Sequence, residues 1–161
     1  MERAVPSQTL QIKLAPADGD EARWCLERYF ADLARQLDEG FDAARTSHVD
    51  PIDISPPNGL FLVARRGGRT IGCAALKLRD RVTGEVKRMW VDEDARGQGV
   101  GRRLLACVEA IARERGLRAL RLDTNRSLIG AQALYRSCGF VDIEPFNDEP
   151  FAHYWLGKSL D

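Results

Sequence analysis

The sequence predicts a single domain, residues 1–161, of mixed α/β class. Three observations support this: the chain is 161 residues long, strand-like and helix-like segments alternate along it, and a three-strand meander stands in its middle. A chain of this length normally forms one domain, and such a pattern is typical of a sheet packed against helices. The predicted order of elements is β-α-loop-β-β-β-α-β-α-β-β.

The first half is predicted to begin with a strand and a helix. Residues 9–14 alternate apolar and polar side chains, residues 21–37 carry apolar side chains at helical spacing, and Gly40 can end that helix. Residues 41–59 contain three prolines and are predicted to form a long loop with room for a short helix. Loops of this length often have a function. The meander strands follow at residues 60–64, 70–78 and 85–91.

The second half is predicted to hold two helices and three strands. The first helix starts near Val100, and Gly116 ends it. A strand follows at 117–124, and the next helix starts at Ser127 and ends before Gly139. The last two strands are predicted at residues 140–143 and 151–160.

The composition argues against several classes of protein. Lys plus Arg and Asp plus Glu each number 24, so the formal net charge is +0, whereas general nucleic-acid binders carry a basic excess. No apolar run reaches the roughly 18 residues of a membrane span, and the N-terminal MERAVPSQTL lacks the apolar core of a signal peptide. We therefore expect a cytoplasmic protein that binds neither nucleic acid nor membrane.

Cysteine and histidine are too few or too scattered to indicate a metal site. The four cysteines form no CxxC pair and stand among apolar neighbours, so we expect buried, reduced thiols. Only two histidines are present, His48 and His153, which argues against a zinc site or a histidine-based triad.

The most informative segment is DEDARGQGVGRRLL, residues 92–105, which joins a predicted strand to a predicted helix. A helix N-terminus presents unpaired amides and partial positive charge, and glycines allow the dihedral angles that turn amides toward a ligand. Arginines flank the glycines, so residues 96–103 are predicted to bind a phosphate or pyrophosphate. The segment lacks the lysine of a Walker loop, and its spacing is GxGxG rather than GxGxxG.

This segment resembles that of the GCN5-related N-acetyltransferase (GNAT) family. Arg96, Gly99 and Gly101 fit the family pattern Arg/Gln-x-x-Gly-x-Gly/Ala. The strand VKRMWV precedes them, and ALYRSCGF follows at the family's distance. The resemblance, strongest over 70–160, implies a central mixed β-sheet splayed between its fourth and fifth strands, with acetyl-CoA in the splay.

The resemblance also implies which residues bind acetyl-CoA as co-substrate. Backbone groups of the fourth strand would bond the pantetheine arm, and amides of the glycine segment would bond the pyrophosphate. The family often has an asparagine seven residues before the catalytic tyrosine; here that position is Leu128, and whether Asn125 substitutes is open. The implied cofactor-binding residues are Met89, Trp90, Val91, Arg96, Gly97, Gln98, Gly99, Val100, Gly101 and Arg102.

The implied chemistry is acyl transfer from a thioester to an amine. Tyr135, in ALYRSCGF, matches the family tyrosine that protonates the leaving thiolate. The backbone amide of Met89 or Val91 is a candidate to polarise the carbonyl as negative charge develops on its oxygen. An amine is mostly ammonium near neutral pH, so a base must also remove a proton.

Glu85, at the start of the fourth strand, is the candidate base, and Asp123 is the alternative. Alternation along the strand predicts that Glu85 shares one face with three residues: Lys87, Met89 and Val91.

The acceptor is less well defined by the sequence. Acidic residues in the segments that border the family's acceptor site favour a cationic amine, whereas Arg28 and Arg45 could hold an acceptor carboxylate. We predict acetyl transfer to the primary amine of a small molecule or amino-acid-like acceptor. The alternatives are a non-catalytic CoA-binding or regulatory module, and an acetyltransferase for protein or peptide amines. The last strands offer an edge for a homodimer. The acidic residues are Glu39, Asp42, Asp50, Asp53, Asp148 and Glu149.

Overall fold

The computed structural model of the protein describes residues 9–161. The expectation that the N-terminus is not a signal peptide therefore falls largely outside the described residues. The elements follow the predicted order, with two short 3-10 helices at Pro51–Ile54 and Glu93–Ala95. The elements are β1 (Leu10–Leu14), α1 (Asp20–Gln36), β2 (Gly59–Arg66), β3 (Arg69–Leu78), β4 (Thr83–Val91), α2 (Val100–Glu114), β5 (Ala119–Thr124), α3 (Ile129–Ser137), β6 (Val141–Asp142) and β7 (Tyr154–Ser159).

The strands form one seven-stranded mixed sheet in the order β1-β2-β3-β4-β5-β7-β6. Only β4 and β5 run parallel, and they pair from Thr83 with Ala119 to Glu85 with Arg121. Past Glu85 no described residue of β4 pairs with β5, so the two strands separate. The mixed α/β class and the splay between the fourth and fifth strands are thus confirmed.

The core lies on both faces of the sheet. Because side chains alternate along a strand, Leu60 and Leu62 pack in a cluster with α2 and α3, whereas Phe61 and Val63 pack in a cluster with α1. The helices therefore hold the sheet from opposite sides, and the β4–β5 separation lies between them.

A β-bulge at Arg88 interrupts the alternation of β4. Arg88 has a φ of 53°, and the register with β3 shifts between the pairs Ala75–Lys87 and Cys73–Trp90. A bulge adds one residue to a strand, so the side chains beyond it change faces. Met89 and Val91 accordingly pack in the α2 cluster with Val86. The predicted shared face of Glu85, Lys87, Met89 and Val91 is therefore wrong beyond the bulge.

The C-terminal elements are shorter than predicted. Helix α3 starts at Ile129 rather than Ser127, because Asn125 holds the preceding turn through a bond from the Ser127 amide to its Oδ1. Strand β6 has two residues, and β7 starts at Tyr154 because a turn at Glu149–Ala152 precedes it. Strand β6 lies at a sheet edge, and the homodimer stays a prediction.

The cysteines are all free, but their burial differs. Cys25 and Cys73 are buried, whereas Cys107 and Cys138 are half-buried, so the prediction of buried thiols applies to the first two. No helix within residues 9–161 is both long and apolar enough to cross a membrane. The same residues contain no group of three or more Cys, His, Asp or Glu that could hold a metal ion.

Candidate active site

A cavity of about 730 Å³ opens where β4 and β5 separate. One part, which we call the helix end, is formed by Gly97 and Gly99–Arg102 at the start of α2 together with α3. The other part, the aromatic end, is lined by Tyr29, Phe41 and Phe151. Residues of β4 and β5 line the same cavity, so one continuous space includes both ends.

The helix end has the properties of an anion site. Gly97 and Gly99 have φ angles of 77° and 83°, and a Cβ added at either would meet nothing within 4 Å. The Arg103 amide bonds the Gly99 carbonyl at 3.1 Å, but residues 9–161 provide no hydrogen-bond partner for the amides from Gly97 to Arg102. Unpaired amides, open space and the positive end of α2 therefore coincide here.

A buried carboxylate fixes Arg96 beside this end. Asp32 of α1 accepts hydrogen bonds from Trp90 Nε1 at 2.7 Å and Arg96 Nη2 at 2.6 Å, and it also pairs with Arg35. Arg96 Nε donates to the Val91 carbonyl at 3.0 Å. The arginine thus ties the glycine segment to both β4 and α1. Asp32 is not predicted as a site residue by the sequence, where its only signal is a charged residue next to Leu33 on a helix face that proves to be buried.

The other predicted cofactor-binding residues line the cavity, except one. Gln98 lies outside the lining residues and accepts a bond from Arg66 at 2.5 Å. Arg102 lines the cavity, and its guanidinium donates to Ser137 Oγ at 2.7 Å. Gly101 permits close packing, because a Cβ there would lie 2.7 Å from Leu134 Cδ2.

Tyr135 of α3 lines the cavity and is 8% exposed. Its ring packs edge-on against Phe140 at a centroid distance of 6.0 Å. Burial raises the pKa of the Tyr135 phenol well above its usual range, and the neighbouring Tyr29 and Asp123 add to this. The phenol therefore carries its proton at neutral pH.

The two candidate bases occupy different environments. Glu85 is 1% exposed and is not among the residues that line the cavity; Arg79 Nη1 lies 2.9 Å from its carboxylate and Lys87 Nζ 3.2 Å. Asp123 lines the cavity. Asn147 Nδ2 donates to the Asp123 carboxylate at 2.8 Å, and Lys87 Nζ lies 3.8 Å away.

Burial raises the pKa of Asp123, although Lys87 and the bond from Asn147 oppose the shift. The charges of Glu149 and Glu85 raise the pKa further. Asp123 is thus a more basic carboxylate than usual and faces the cavity.

Most of the acidic residues that the sequence predicts around the acceptor site bond to other groups of the chain. Glu149 is buried and accepts bonds from the Ser47 amide at 2.7 Å and Thr46 Oγ1 at 3.0 Å, which joins the two loops that border the aromatic end. These bonds lower the pKa of Glu149 despite the opposing effect of burial. Asp50 and Asp53 form a capping box at the start of the 3-10 helix Pro51–Ile54.

Asn125 and Leu128 both line the cavity, but Asn125 also has structural bonds. Its Nδ2 donates to the Phe151 carbonyl at 2.7 Å, and its Oδ1 accepts from the Ser127 amide at 2.8 Å. Its side chain therefore holds the β5–α3 turn against the last loop.

The two arginines considered for an acceptor carboxylate lie outside the cavity lining. Arg28 stacks on Trp24 at 4.8 Å, and Arg45 stacks on Phe151 at 5.5 Å. Arg88, which the sequence does not single out for this role, does line the cavity.

The chain is similar in sequence to known acetyltransferases. The family model described as the acetyltransferase (GNAT) family matches residues 22–140. Over 122 residues, 75% of each protein, the chain is 42% identical to the IAA acetyltransferase of Azospirillum brasilense.

Two solved structures share the fold. An acetyltransferase of the GNAT family from Staphylococcus aureus Mu50 has a TM-score of 0.81 at 20% identity, covering 95% of this chain and 100% of that one. A GNAT family acetyltransferase from Elizabethkingia anophelis, solved with acetyl-CoA bound, has a TM-score of 0.64 at 22% identity, covering 93% and 97%.

Proposed function

The chain belongs to the GNAT family of acetyl-CoA-dependent N-acetyltransferases, and from this premise we propose that it acetylates the primary amine of a small-molecule acceptor. The observation that carries the proposal is the continuous cavity between β4 and β5. It joins the amide-rich start of α2 to Asp123 and Tyr135, so a coenzyme bound at the helix end can meet an acceptor from the aromatic end.

The residues at the helix end fit the pyrophosphate of coenzyme A. The open space beside Gly97 and Gly99 leaves room for phosphate oxygens against the backbone, and the unpaired amides through Arg102 can donate to them. The unpaired edge of β4 beyond Glu85 can accept the pantetheine arm as an added strand. Arg96 contributes positive charge while Asp32 keeps it in place.

We assign the general base to Asp123. When bound, acetyl-CoA supplies the thioester carbonyl that the amine attacks. Asp123 lies on the cavity with a raised pKa, which suits a group that must take a proton from an ammonium and release it again. Glu85 remains the base predicted from the sequence; its pairing with Arg79 and Lys87 supports a role in positioning Lys87 instead.

The remaining steps are proposed for β4 and α3. The amide of Met89 or Val91 donates to the carbonyl oxygen as its negative charge develops. The new N–C bond forms as the C–S bond breaks, and Tyr135 donates its phenolic proton to the departing sulfur. Burial of Tyr135 keeps that proton available at neutral pH.

Two features favour a small acceptor over a protein. The loops at Thr46–Ser47 and Glu149 are bonded to each other beside the aromatic end, which restricts the approach of an extended chain. The relative from A. brasilense is named as an acetyltransferase of IAA.

A thiol-release assay with acetyl-CoA tests the proposal. The panel should contain free amines, amino acids and peptides with free N-termini, with mass spectrometry of each product. Acetylation of small amines with little on peptides is expected. If acetyl-CoA binds but no amine is acetylated, the protein is a CoA-binding module instead. If peptides are the better acceptors, the small-molecule assignment is refuted.

A further inference from the structure

We propose that the acceptor carries a carboxylate as well as its amine, and that Arg88 binds this carboxylate. The inference rests on the proposed function and specifies its substrate class. The structure points to an amino acid with an apolar or aromatic side chain.

The bulge in β4 holds Arg88 at the cavity. Its guanidinium lies 5.1 Å from the Phe30 ring centroid and 5.8 Å from that of Tyr29, and its Nη2 donates to the Ser47 carbonyl at 3.2 Å. Stacking on aromatic rings fixes the plane of a guanidinium and leaves its edge for hydrogen bonds. Arg88 is thus a half-buried, oriented cation at the aromatic end.

Arg88 differs from the neighbouring cations because no carboxylate of residues 9–161 lies within 4.0 Å of its guanidinium. Lys87 pairs with Glu85 and Asp123, and Arg96 pairs with Asp32. A partly buried guanidinium with free donors favours an anionic ligand, and its fork geometry matches a carboxylate.

The surroundings of Arg88 indicate the rest of the acceptor. Both Arg88 and Asp123 line the cavity, and Lys87, which precedes Arg88 in β4, places its Nζ 3.8 Å from the Asp123 carboxylate. A cation and a carboxylate therefore line the same cavity, as an acceptor with a carboxylate and an ammonium requires.

Aromatic rings line the space beside these charges. Phe41 stacks on Phe30 at 5.8 Å and lies 4.8 Å from Phe151 between ring centroids. Both Phe41 and Phe151 line the cavity, so an apolar or aromatic side chain can be buried against them.

Pairs of acceptors that differ only in the carboxylate test this inference. Phenylalanine is compared with phenethylamine, and leucine with isopentylamine, in wild type and in Arg88→Met. Because a hydrogen bond to a charged group has a large effect, wild type should prefer the amino acids by about 10- to 100-fold in kcat/KM. In Arg88→Met the ratio of kcat/KM between each amino acid and its matched amine should fall toward one.

Arg45→Met is the matched control, since Arg45 also stacks on an aromatic ring but lies outside the cavity lining. It should keep the wild-type preference. Amines acetylated without a carboxylate preference, or a preference that survives in Arg88→Met, would overturn the inference and leave the proposed function intact.

Binding of the N-acetylated products in the presence of CoA, measured by calorimetry, gives a second readout independent of turnover. Tighter binding of N-acetylphenylalanine than of N-acetylphenethylamine in wild type, absent in Arg88→Met, supports the inference even if the panel is turned over slowly. Equal binding of both products would contradict it. Failure of every amine to be acetylated would instead refute the proposed function.

Discussion

Asp32→Asn tests whether the buried carboxylate of α1 holds the glycine segment in place. The variant keeps an oxygen for Trp90 Nε1 but loses the charge that Arg96 and Arg35 share. Arg96 is 41% exposed, so its part of the loss is screened by solvent, whereas Asp32 and Trp90 are buried. Losing charged hydrogen bonds at such a site should lower the free energy of unfolding by about 1–3 kcal/mol.

Urea unfolding measures this loss, and calorimetric titration with CoA measures its consequence at the helix end. Since Arg96 connects the glycine segment to α1, CoA should bind several-fold more weakly to Asp32→Asn. The control is Asp20→Asn on the same helix, whose carboxylate is exposed and pairs, among residues 9–161, with exposed Arg23; it should have little effect on either quantity. Wild-type stability and CoA affinity in Asp32→Asn would refute the anchoring role.

Three further predictions concern the reaction itself. Gly99→Val should weaken CoA binding sharply, because Gly99 has a φ of 83°, which valine rarely adopts, and a side chain there would occupy the open space proposed for the pyrophosphate. The circular dichroism should be nearly unchanged, because an added Cβ meets no protein atom within 4 Å. Tyr135→Phe should lower kcat by about 10²–10⁴-fold with acetyl-CoA affinity retained, since only the proposed acid is removed. Asp123→Asn should lower kcat/KM strongly. In wild type, kcat/KM should fall as the pH falls through the raised pKa of Asp123, because only the ionised carboxylate accepts a proton. The pH profile of Asp123→Asn should lack this decrease at low pH.

Each of these has an outcome that contradicts it. Unaltered CoA affinity in Gly99→Val would show that the helix end is not the pyrophosphate site. A Phe variant with more than about half the wild-type rate, under conditions where chemistry limits, would remove Tyr135 from the mechanism. Glu85→Gln is the comparison for Asp123→Asn. If the decrease of kcat/KM at low pH disappears in Glu85→Gln but not in Asp123→Asn, the base is Glu85, as the sequence predicted.

Local patterns determined much of the fold from the sequence alone. The order of strands and helices followed from side-chain periodicity and turn residues, because these preferences act over a few neighbouring residues. The anion site at the start of α2 could also be predicted, since free amides and glycine dihedrals belong to one continuous segment, residues 96–103.

Only the tertiary structure decided which side chains meet at the cavity. Arg88 at the bulge changes the faces of Met89 and Val91, and nothing in the alternating pattern of β4 predicts an extra residue. Asp32 binds Trp90 and Arg96, which lie 58 and 64 residues away in the chain. Such contacts depend on how α1 packs against the sheet, so local sequence preferences do not specify them.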